Sequence, residues 1–118
     1  MYGTRGEFIF LTSYKKKCSR SKQSTKLQIA LDDITREAAK VLLEKIQEDV
    51  DIIEIGTPFA YYNDISVIQE FKNLYPKAKI LADYKILDGG EFMSALAFRA
   101  GADIVTVSVS ANNETIAG

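Results

Sequence analysis

Residues Lys79 to Glu91 read K-I-L-A-D-Y-K-I-L-D-G-G-E, and the expected fold depends on this stretch. The short apolar run from Ile80 to Ala82 predicts a buried strand. Because side chains alternate between the two faces of a strand, Asp83 and Lys85 are expected on one face. Asp88 falls in the turn that the next two glycines open. The strand is therefore predicted to deliver two carboxylates and a lysine to one end of a sheet.

These charged residues allow two interpretations. A lysine held between carboxylates keeps its positive charge, and the carboxylates can bind a divalent cation or a substrate hydroxyl. A solvated cluster of ion pairs would show the same residues without any function. Polar residues at the ends of the neighbouring strands would favour the first interpretation.

Strands and helices alternate along residues 27 to 118. Apolar runs predict strands at 27–31, 50–55, 80–82 and 104–107. A helix is expected after each strand, beginning first at Asp33 or Thr35 and next at Asn63 or Asp64, since these residues cap helices. The third helix ends near Gly101, and residues 111–118 begin a fourth. The side chains expected to face the core are Ala39, Leu42, Leu43, Ile46, Ile68, Phe71, Leu74, Tyr75, Phe92, Ala95 and Leu96.

This alternation predicts an α/β fold with a parallel sheet and right-handed crossovers. A complete (β/α)8 barrel needs about 250 residues, and at least about 200, so four units correspond to half of one. Active sites of such barrels lie at the carboxyl ends of the strands. Asp32 directly follows the first predicted strand, and Asp83 directly follows the third. Glu54 lies near the end of the second.

Asp32 and Glu54 also have alternatives without function. Glu54 interrupts the apolar run from Ile52 to Ile55, where an unpaired buried carboxylate would be costly. An edge strand could instead turn this glutamate toward solvent. Asp32 could cap the following helix. The companion residues at the other strand ends favour an active site for both.

The composition excludes several kinds of site. The 118 residues contain one cysteine, Cys18, and no histidine, so this chain has no histidine metal cluster, Ser-His-Asp triad or internal disulfide. A single cysteine fits a reducing compartment or no constraint at all, and we expect a cytoplasmic protein. The longest apolar runs are far shorter than the roughly 20 residues of a membrane-spanning helix, so no membrane partner is expected.

The net charge of −1 hides an uneven distribution. Residues 1–26 contain seven Lys or Arg and one acid, whereas residues 27–118 contain eight basic and fifteen acidic residues. We expect residues 1–26 to be a basic, disordered extension, with a transit peptide or a phosphate-contacting segment as alternatives. The acidic remainder gives no reason to expect a nucleic-acid partner.

The string A-D-Y-K-I-L-D-G-G-E resembles the Asp-x-Lys-x-x-Asp signature of the orotidine monophosphate decarboxylase superfamily. Three other stretches resemble the first, second and fourth strands of its barrel: L-Q-I-A-L-D at 27–32, D-I-I-E-I-G-T-P at 51–58 and G-A-D-I-V-T-V at 101–107. The sequence E-I-G-T-P is most similar to that of the 3-hexulose-6-phosphate synthases. The 3-keto-L-gulonate-6-phosphate decarboxylases are the second most similar. The resemblance covers Leu27 to Gly118 and implies the N-terminal half of a ribulose-phosphate-binding (β/α)8 barrel.

The resemblance also implies an activity. The synthases are aldehyde-lyases of the ribulose monophosphate pathway that condense formaldehyde with D-ribulose 5-phosphate. A metal ion and an ammonium group near the reacting carbons would stabilise the enediolate as it forms. Decarboxylation of 3-keto-L-gulonate 6-phosphate and an inactive, truncated half barrel are the alternatives.

The roles of individual residues follow from the same resemblance. Glu54 and Asp83 are expected to bind Mg²⁺, while Asp32 and Lys85 contact the reacting end of the sugar phosphate. Thr57 could touch the substrate, although turn geometry also explains it. Asp88 is expected to reach the site of the neighbouring subunit in a homodimer.

Overall fold

Four parallel strands lie side by side in the order of the sequence in the computed structural model, which describes residues 25–118. The strands are β1 (Gln28–Leu31), β2 (Ile52–Ile55), β3 (Lys79–Ile86) and β4 (Ile104–Val107). Since every neighbouring pair is parallel, the carboxyl ends of all four strands meet at one edge of the sheet. All four predicted strands and their parallel arrangement are confirmed, but β3 continues to Ile86, beyond the predicted 80–82. The prediction for residues 1–24 lies outside the described residues.

Helices connect the strands and follow the last of them. They are α1 (Arg36–Ile46), α2 (Thr57–Tyr62), α3 (Ser66–Leu74), α4 (Gly90–Ala100) and α5 (Asn113–Ala117). Four of them correspond to predicted helices, but α2 was missed because Gly-Thr-Pro is typical of a turn. Pro58 fits the first turn of α2, where the backbone N–H groups have no partner within the helix.

Local capping sets the ends of the longer helices. The Thr35 hydroxyl accepts a hydrogen bond from Ala38 N at 3.2 Å, so α1 begins directly after this residue. Asp64 accepts from Ser66 N at 2.8 Å, and α3 begins at that serine. Gly101 ends α4 with φ of 107°, a conformation that glycine adopts without steric cost.

The core lies between the helices and one face of the sheet. Its largest fully buried side chains are Leu31, Leu43, Ile53, Ile55, Phe59, Val67, Ile68, Phe71 and Ile80. Two predicted core residues are wrong, since Leu74 is 47% exposed and Phe92 is 66% exposed. Tyr75, just beyond the end of α3, is buried where Leu74 is not, and the buried side chain of α4 is Ala97.

The opposite face of the sheet is more open. Ile53 and Ile55 of β2 are buried, whereas the alternate residues Ile52 and Glu54 are only half-buried. Glu54 lies next to Ala30 of β1 in the register of the sheet. In a closed barrel this face points to the interior. Among the helices of residues 25–118, none has the length and apolar character needed to cross a bilayer.

Candidate active site

Asp83 lies near the carboxyl end of β3 and is 9% exposed. Its Oδ1 accepts a hydrogen bond from Thr106 Oγ1 at 2.7 Å, and its Oδ2 is paired with Lys85 Nζ. Thr57 Oγ1 lies 3.0 Å from Asp83 Oδ2 and accepts from Lys85 Nζ at 2.6 Å. We call these four residues the Asp83 cluster. It joins β3, β4 and the start of α2 at the carboxyl edge of the sheet.

The cluster keeps Asp83 ionised. Burial by itself would raise the pKa of this carboxyl group. Hydrogen bonds from Lys85 and from the two threonines outweigh burial, and the pKa of Asp83 lies below its ordinary value. At neutral pH the structure therefore presents a buried carboxylate in contact with an ammonium group whose side chain is largely exposed.

Glu54 lies on the neighbouring strand β2 and has the opposite electrostatic character. Burial raises its pKa, and the nearby negative charges of Asp83 and Asp32 raise it further. Gln28 Nε2 donates to Glu54 Oε2 at 2.5 Å and opposes this rise. Because β2 is flanked by β1 and β3, the edge-strand alternative for Glu54 is wrong.

Asp32 directly follows β1 and packs against Gly56 at the end of β2. A Cβ atom on this glycine would overlap Asp32 Oδ1 and the carbonyl oxygen of Leu31. Gly56 N also donates to that carbonyl at 2.9 Å. The residue that caps α1 is Thr35, so the cap alternative for Asp32 is wrong. Glycine at position 56 is what allows Asp32 to lie close to the end of β2.

Asp88 stands apart from the other predicted residues. It is exposed in the loop after β3, and its Oδ1 accepts from Gly89 N at 2.8 Å. Within residues 25–118, no hydrogen bond or ion pair connects Asp88 to the Asp83 cluster. Asp32, Glu54, Asp83, Lys85 and Thr57, in contrast, are neighbours at one edge of the sheet.

Two residues of this site were missed from the sequence: Gln28 and Thr106. Each had a detectable signal. Gln28 and Asp32 are four positions apart along β1 and its end, and this even spacing places both on one face. Thr106 is the third residue of Ile-Val-Thr-Val, the position that Glu54 occupies in Ile-Ile-Glu-Ile. A polar residue at this position in both strands indicates a shared polar face.

The donor set is suitable for Mg²⁺, although it is small. No group of three or more Asp, Glu or Cys residues close enough to hold a metal ion occurs in the described range 25–118. Mg²⁺ commonly takes only one or two carboxylates and completes its shell with water and substrate oxygens. Glu54, whose pKa is raised by burial and by neighbouring carboxylates, would be stabilised by a cation. A metal ion on Asp83 would compete with the ammonium group of Lys85.

Parallel strands in sequential order, with polar residues at their carboxyl ends, define half of a (β/α)8 barrel. The carboxyl edge of the sheet, which holds the active site in such barrels, is called the active edge here. The chain belongs to the orotidine 5'-phosphate decarboxylase / HUMPS family, whose model matches residues 25–118. This confirms the family that the Asp-x-Lys-x-x-Asp motif indicated.

The relatives are enzymes of two kinds. The chain is 48% identical over 93 residues to a 3-hexulose-6-phosphate synthase of Mycobacterium gastri, covering 79% of this chain and 45% of the relative. It is 41% identical over 92 residues to a 3-keto-L-gulonate-6-phosphate decarboxylase of Escherichia coli, covering 78% and 43%. The chain thus spans less than half the length of the curated relatives it matches.

Solved structures give the same result for the fold. A 3-hexulose-6-phosphate synthase from Salmonella typhimurium matches with a TM-score of 0.74 and 48% identity, over 76% of this chain and 43% of that one. A KGPDC from Streptococcus mutans in complex with D-R5P matches with a TM-score of 0.70 and 30% identity, over 75% and 40%. The predicted half barrel is confirmed.

Proposed function

We propose that this chain forms the N-terminal half of an aldehyde-lyase that condenses formaldehyde with D-ribulose 5-phosphate to give 3-hexulose 6-phosphate. The observation that carries the proposal is the contact between Lys85 and Asp83 beside Glu54, at the active edge of the sheet. The curated synthases match at 48% and 38% identity and the decarboxylase at 41%. The solved synthase structures match at 48% and 47% and a solved decarboxylase at 37%, and these higher matches support the choice of reaction.

The proposed roles follow from charge and position. Lys85 supplies a positive charge beside the reacting carbons, where it stabilises the enediolate oxygens as negative charge develops. Asp32 is close enough to Glu54 to influence its pKa and is placed to bind hydroxyl groups of the substrate. Thr57 holds both Asp83 and Lys85 through its hydroxyl group, and we propose that it also contacts the substrate.

Glu54 and Asp83 are the proposed Mg²⁺ ligands. When bound, the metal would supply a Lewis acid that stabilises negative charge on the substrate oxygens. Gln28 orients the Glu54 carboxylate by its hydrogen bond at 2.5 Å. The sugar phosphate itself is proposed by analogy with the relative whose structure contains D-R5P.

We also propose a homodimer in which Asp88 serves the site of the partner subunit. Asp88 is exposed and its side chain bonds only to the adjacent backbone among the contacts described here. Asp88→Asn is expected to lower activity in the homodimer. Mixing this variant with an inactive Lys85→Ala variant would restore part of the activity if the two residues act across an interface.

The decarboxylase reaction is the second candidate, because relatives of that kind match over the same residues. Both reactions pass through the same kind of enediolate, so these residues do not separate them. An assay that offers ribulose 5-phosphate with formaldehyde, and 3-keto-L-gulonate 6-phosphate separately, each with Mg²⁺, distinguishes them. A clear preference for the keto-gulonate substrate would reject the synthase proposal.

An inactive half barrel is the third candidate. In (β/α)8 barrels the phosphate site is frequently built by the loops after strands seven and eight, and residues 25–118 form four strands. Isothermal titration of the purified chain with ribulose 5-phosphate and Mg²⁺ tests this candidate. Absence of binding would show that these 118 residues are not active by themselves.

The metal assignment has its own test. Glu54→Gln removes one of the two proposed carboxylate ligands and is expected to weaken Mn²⁺ binding by at least about tenfold, as measured by electron paramagnetic resonance. Glu44→Gln, an exposed glutamate of α1, is the matched control. Equal Mn²⁺ affinities in the two variants would contradict a ligand role for Glu54.

A further inference from the structure

Strands β3 and β4 pair irregularly at the active edge. Ala82 lies opposite Val105, and Ile86 lies opposite Val107, so residues 83–85 of β3 face a single residue of β4. That residue is Thr106. An excess of residues on one strand is a β-bulge, which bends the strand and redirects its side chains.

Lys85 has an unusual backbone conformation within this bulge. Its φ of 46° lies in the left-handed region, which costs a lysine about 1–2 kcal/mol relative to the right-handed one. Lys85 N donates to Thr106 Oγ1 at 2.9 Å. The side chain of Thr106 thus provides an acceptor where the bulge interrupts the regular pairing of the two strands.

The same hydroxyl group of Thr106 donates to Asp83 Oδ1 at 2.7 Å. A hydroxyl can do both at once, because it has one hydrogen and two lone pairs. The consequence is geometric, since one atom of β4 holds both the backbone of Lys85 and the carboxylate of Asp83. With these two held, Lys85 Nζ meets Asp83 Oδ2.

We propose that Thr106 is a positioning residue of the active site, whose hydroxyl group holds the bulge in the shape that brings Lys85 to Asp83. This inference rests on the proposed function only in assigning a catalytic use to those two residues. Thr106 acts through them, because both hydrogen bonds of its hydroxyl described here go to their atoms.

The replacements Thr106→Val and Thr106→Ser separate positioning from ordinary strand stability. Valine keeps the branched shape and is a good strand former, but it lacks the hydroxyl group. Serine keeps the hydroxyl group but lacks the branch at Cβ that favours strands. A residue that only stabilised the strand would therefore tolerate valine at least as well as serine.

Two measurements compare these variants. By NMR, Thr106→Val is expected to speed hydrogen exchange of the Lys85 amide by at least about tenfold, while Thr106→Ser changes it by less than about threefold. In the activity assay, kcat/KM is expected to fall by about 10- to 100-fold with valine and to be largely kept with serine.

Either of two results would overturn the proposal. The first is a Lys85 amide that is protected equally well in the valine variant and in the unmodified protein. The second is a kcat/KM that the serine replacement lowers as much as the valine replacement does. Exchange in the unmodified protein provides a test even if the valine variant does not fold. There the Lys85 amide must exchange more slowly than that of Asn113, the first residue of α5. Absence of turnover with a protected Lys85 amide would reject the proposed reaction and retain the positioning role.

Discussion

Glu54, a proposed metal ligand, carries a charge that opposes the stability of the fold. Burial and the neighbouring carboxylates raise its pKa, so ionised Glu54 is less favourable in the folded protein than in the unfolded chain. Only Gln28 opposes this among its hydrogen-bonding partners described here. Active sites commonly contain such groups, and their replacement often stabilises the fold.

We expect Glu54→Gln to raise the free energy of unfolding of the metal-free protein at pH 7. The gain should be at most about 1 kcal/mol, because Glu54 is half-buried and solvent screens its charge. Urea denaturation in the presence of a chelator measures it. Glu44→Gln serves again as control and should change stability little. A Glu54→Gln variant less stable than the control would contradict this explanation.

At Gly56 the ends of β1 and β2 lie so close together that there is no room for a side chain. Gly56→Ala places a Cβ onto Asp32 and the Leu31 carbonyl, so the ends of β1 and β2 must separate. We expect a loss of stability of about 2–4 kcal/mol and a marked fall in activity. Thermal denaturation and the activity assay measure the two effects.

Gly89→Ala is the matched control for that replacement. Gly89 adopts a left-handed backbone conformation, with φ of 63°, but no atom lies within 4 Å of the position of an added Cβ. The loss of stability in Gly89→Ala should therefore be limited to the backbone strain, about 1 kcal/mol. Equal losses for the two variants would show that the contact with Asp32 is not decisive.

At the scale of elements, two aspartates join neighbouring strands at the amino edge of the sheet. Asp51, just before β2, accepts from Leu27 N at 2.8 Å, and Asp103, just before β4, accepts from Ile80 N at 2.7 Å. Each also pairs with a lysine: Asp51 with Lys26, and Asp103 with Lys72 of α3. A hydrogen bond from a backbone amide to an aspartate thus aligns both strand pairs, β1 with β2 and β3 with β4.

Asp103→Asn should lower the free energy of unfolding by about 1 kcal/mol at pH 7, because it removes the ion pair with Lys72. Burial favours a higher pKa for Asp103, but hydrogen bonds from Lys72 and Ile80 outweigh it and lower the pKa. A carboxyl group with a lowered pKa stabilises the fold above the unfolded pKa of about 4 and loses this effect as pH falls through the folded pKa.

The difference between Asp103→Asn and the unmodified protein should therefore shrink as the pH falls below about 4. Urea denaturation at a series of pH values measures it. Asp49→Asn, an exposed loop residue before β2, is the control and should show no such dependence. A difference for Asp103→Asn that stays constant with pH would contradict the ion-pair explanation.

At the scale of the whole molecule, the four-stranded sheet formed by residues 25–118 has two edges that no strand of this range pairs, on β1 and β4. Its inner face is only partly covered, with Ala30 exposed and Ile52 and Leu81 half-buried. Open edges and apolar faces favour association with other chains. The relatives are about twice as long as the matched part of this chain, which suits a barrel that further strands complete.

We expect the 118-residue chain, expressed as it stands, to associate at micromolar concentrations. Sedimentation velocity over a concentration series measures this. Val107→Lys, which places a charge on the open edge of β4, should reduce association. A chain that remains monomeric at about 100 μM would contradict the expectation and show that the open edges are protected.

The intact mass of the gene product from its own cells tests how the barrel is completed. A mass near twice 13.1 kDa would indicate that one polypeptide supplies all the strands. A mass that matches the chain would direct attention to a second polypeptide. In either case the synthase assay should be run on that natural form.

The alternation of strands and helices and the positions of Asp32, Glu54, Asp83 and Lys85 were determined by the sequence alone. These features depend on residue periodicity, capping residues and placement at strand ends, which neighbouring residues set locally. The motif around Asp83 also identified the family correctly.

Tertiary structure alone decided how those residues are held. The bulge opposite Thr106 and the left-handed backbone of Lys85 depend on the pairing of β3 with β4, which links residues more than 20 positions apart. Gln28 and Glu54 meet for the same reason, across β1 and β2. Side chains on different strands acquire their partners only when the strands pair, and this geometry gives the site its charges and its shape.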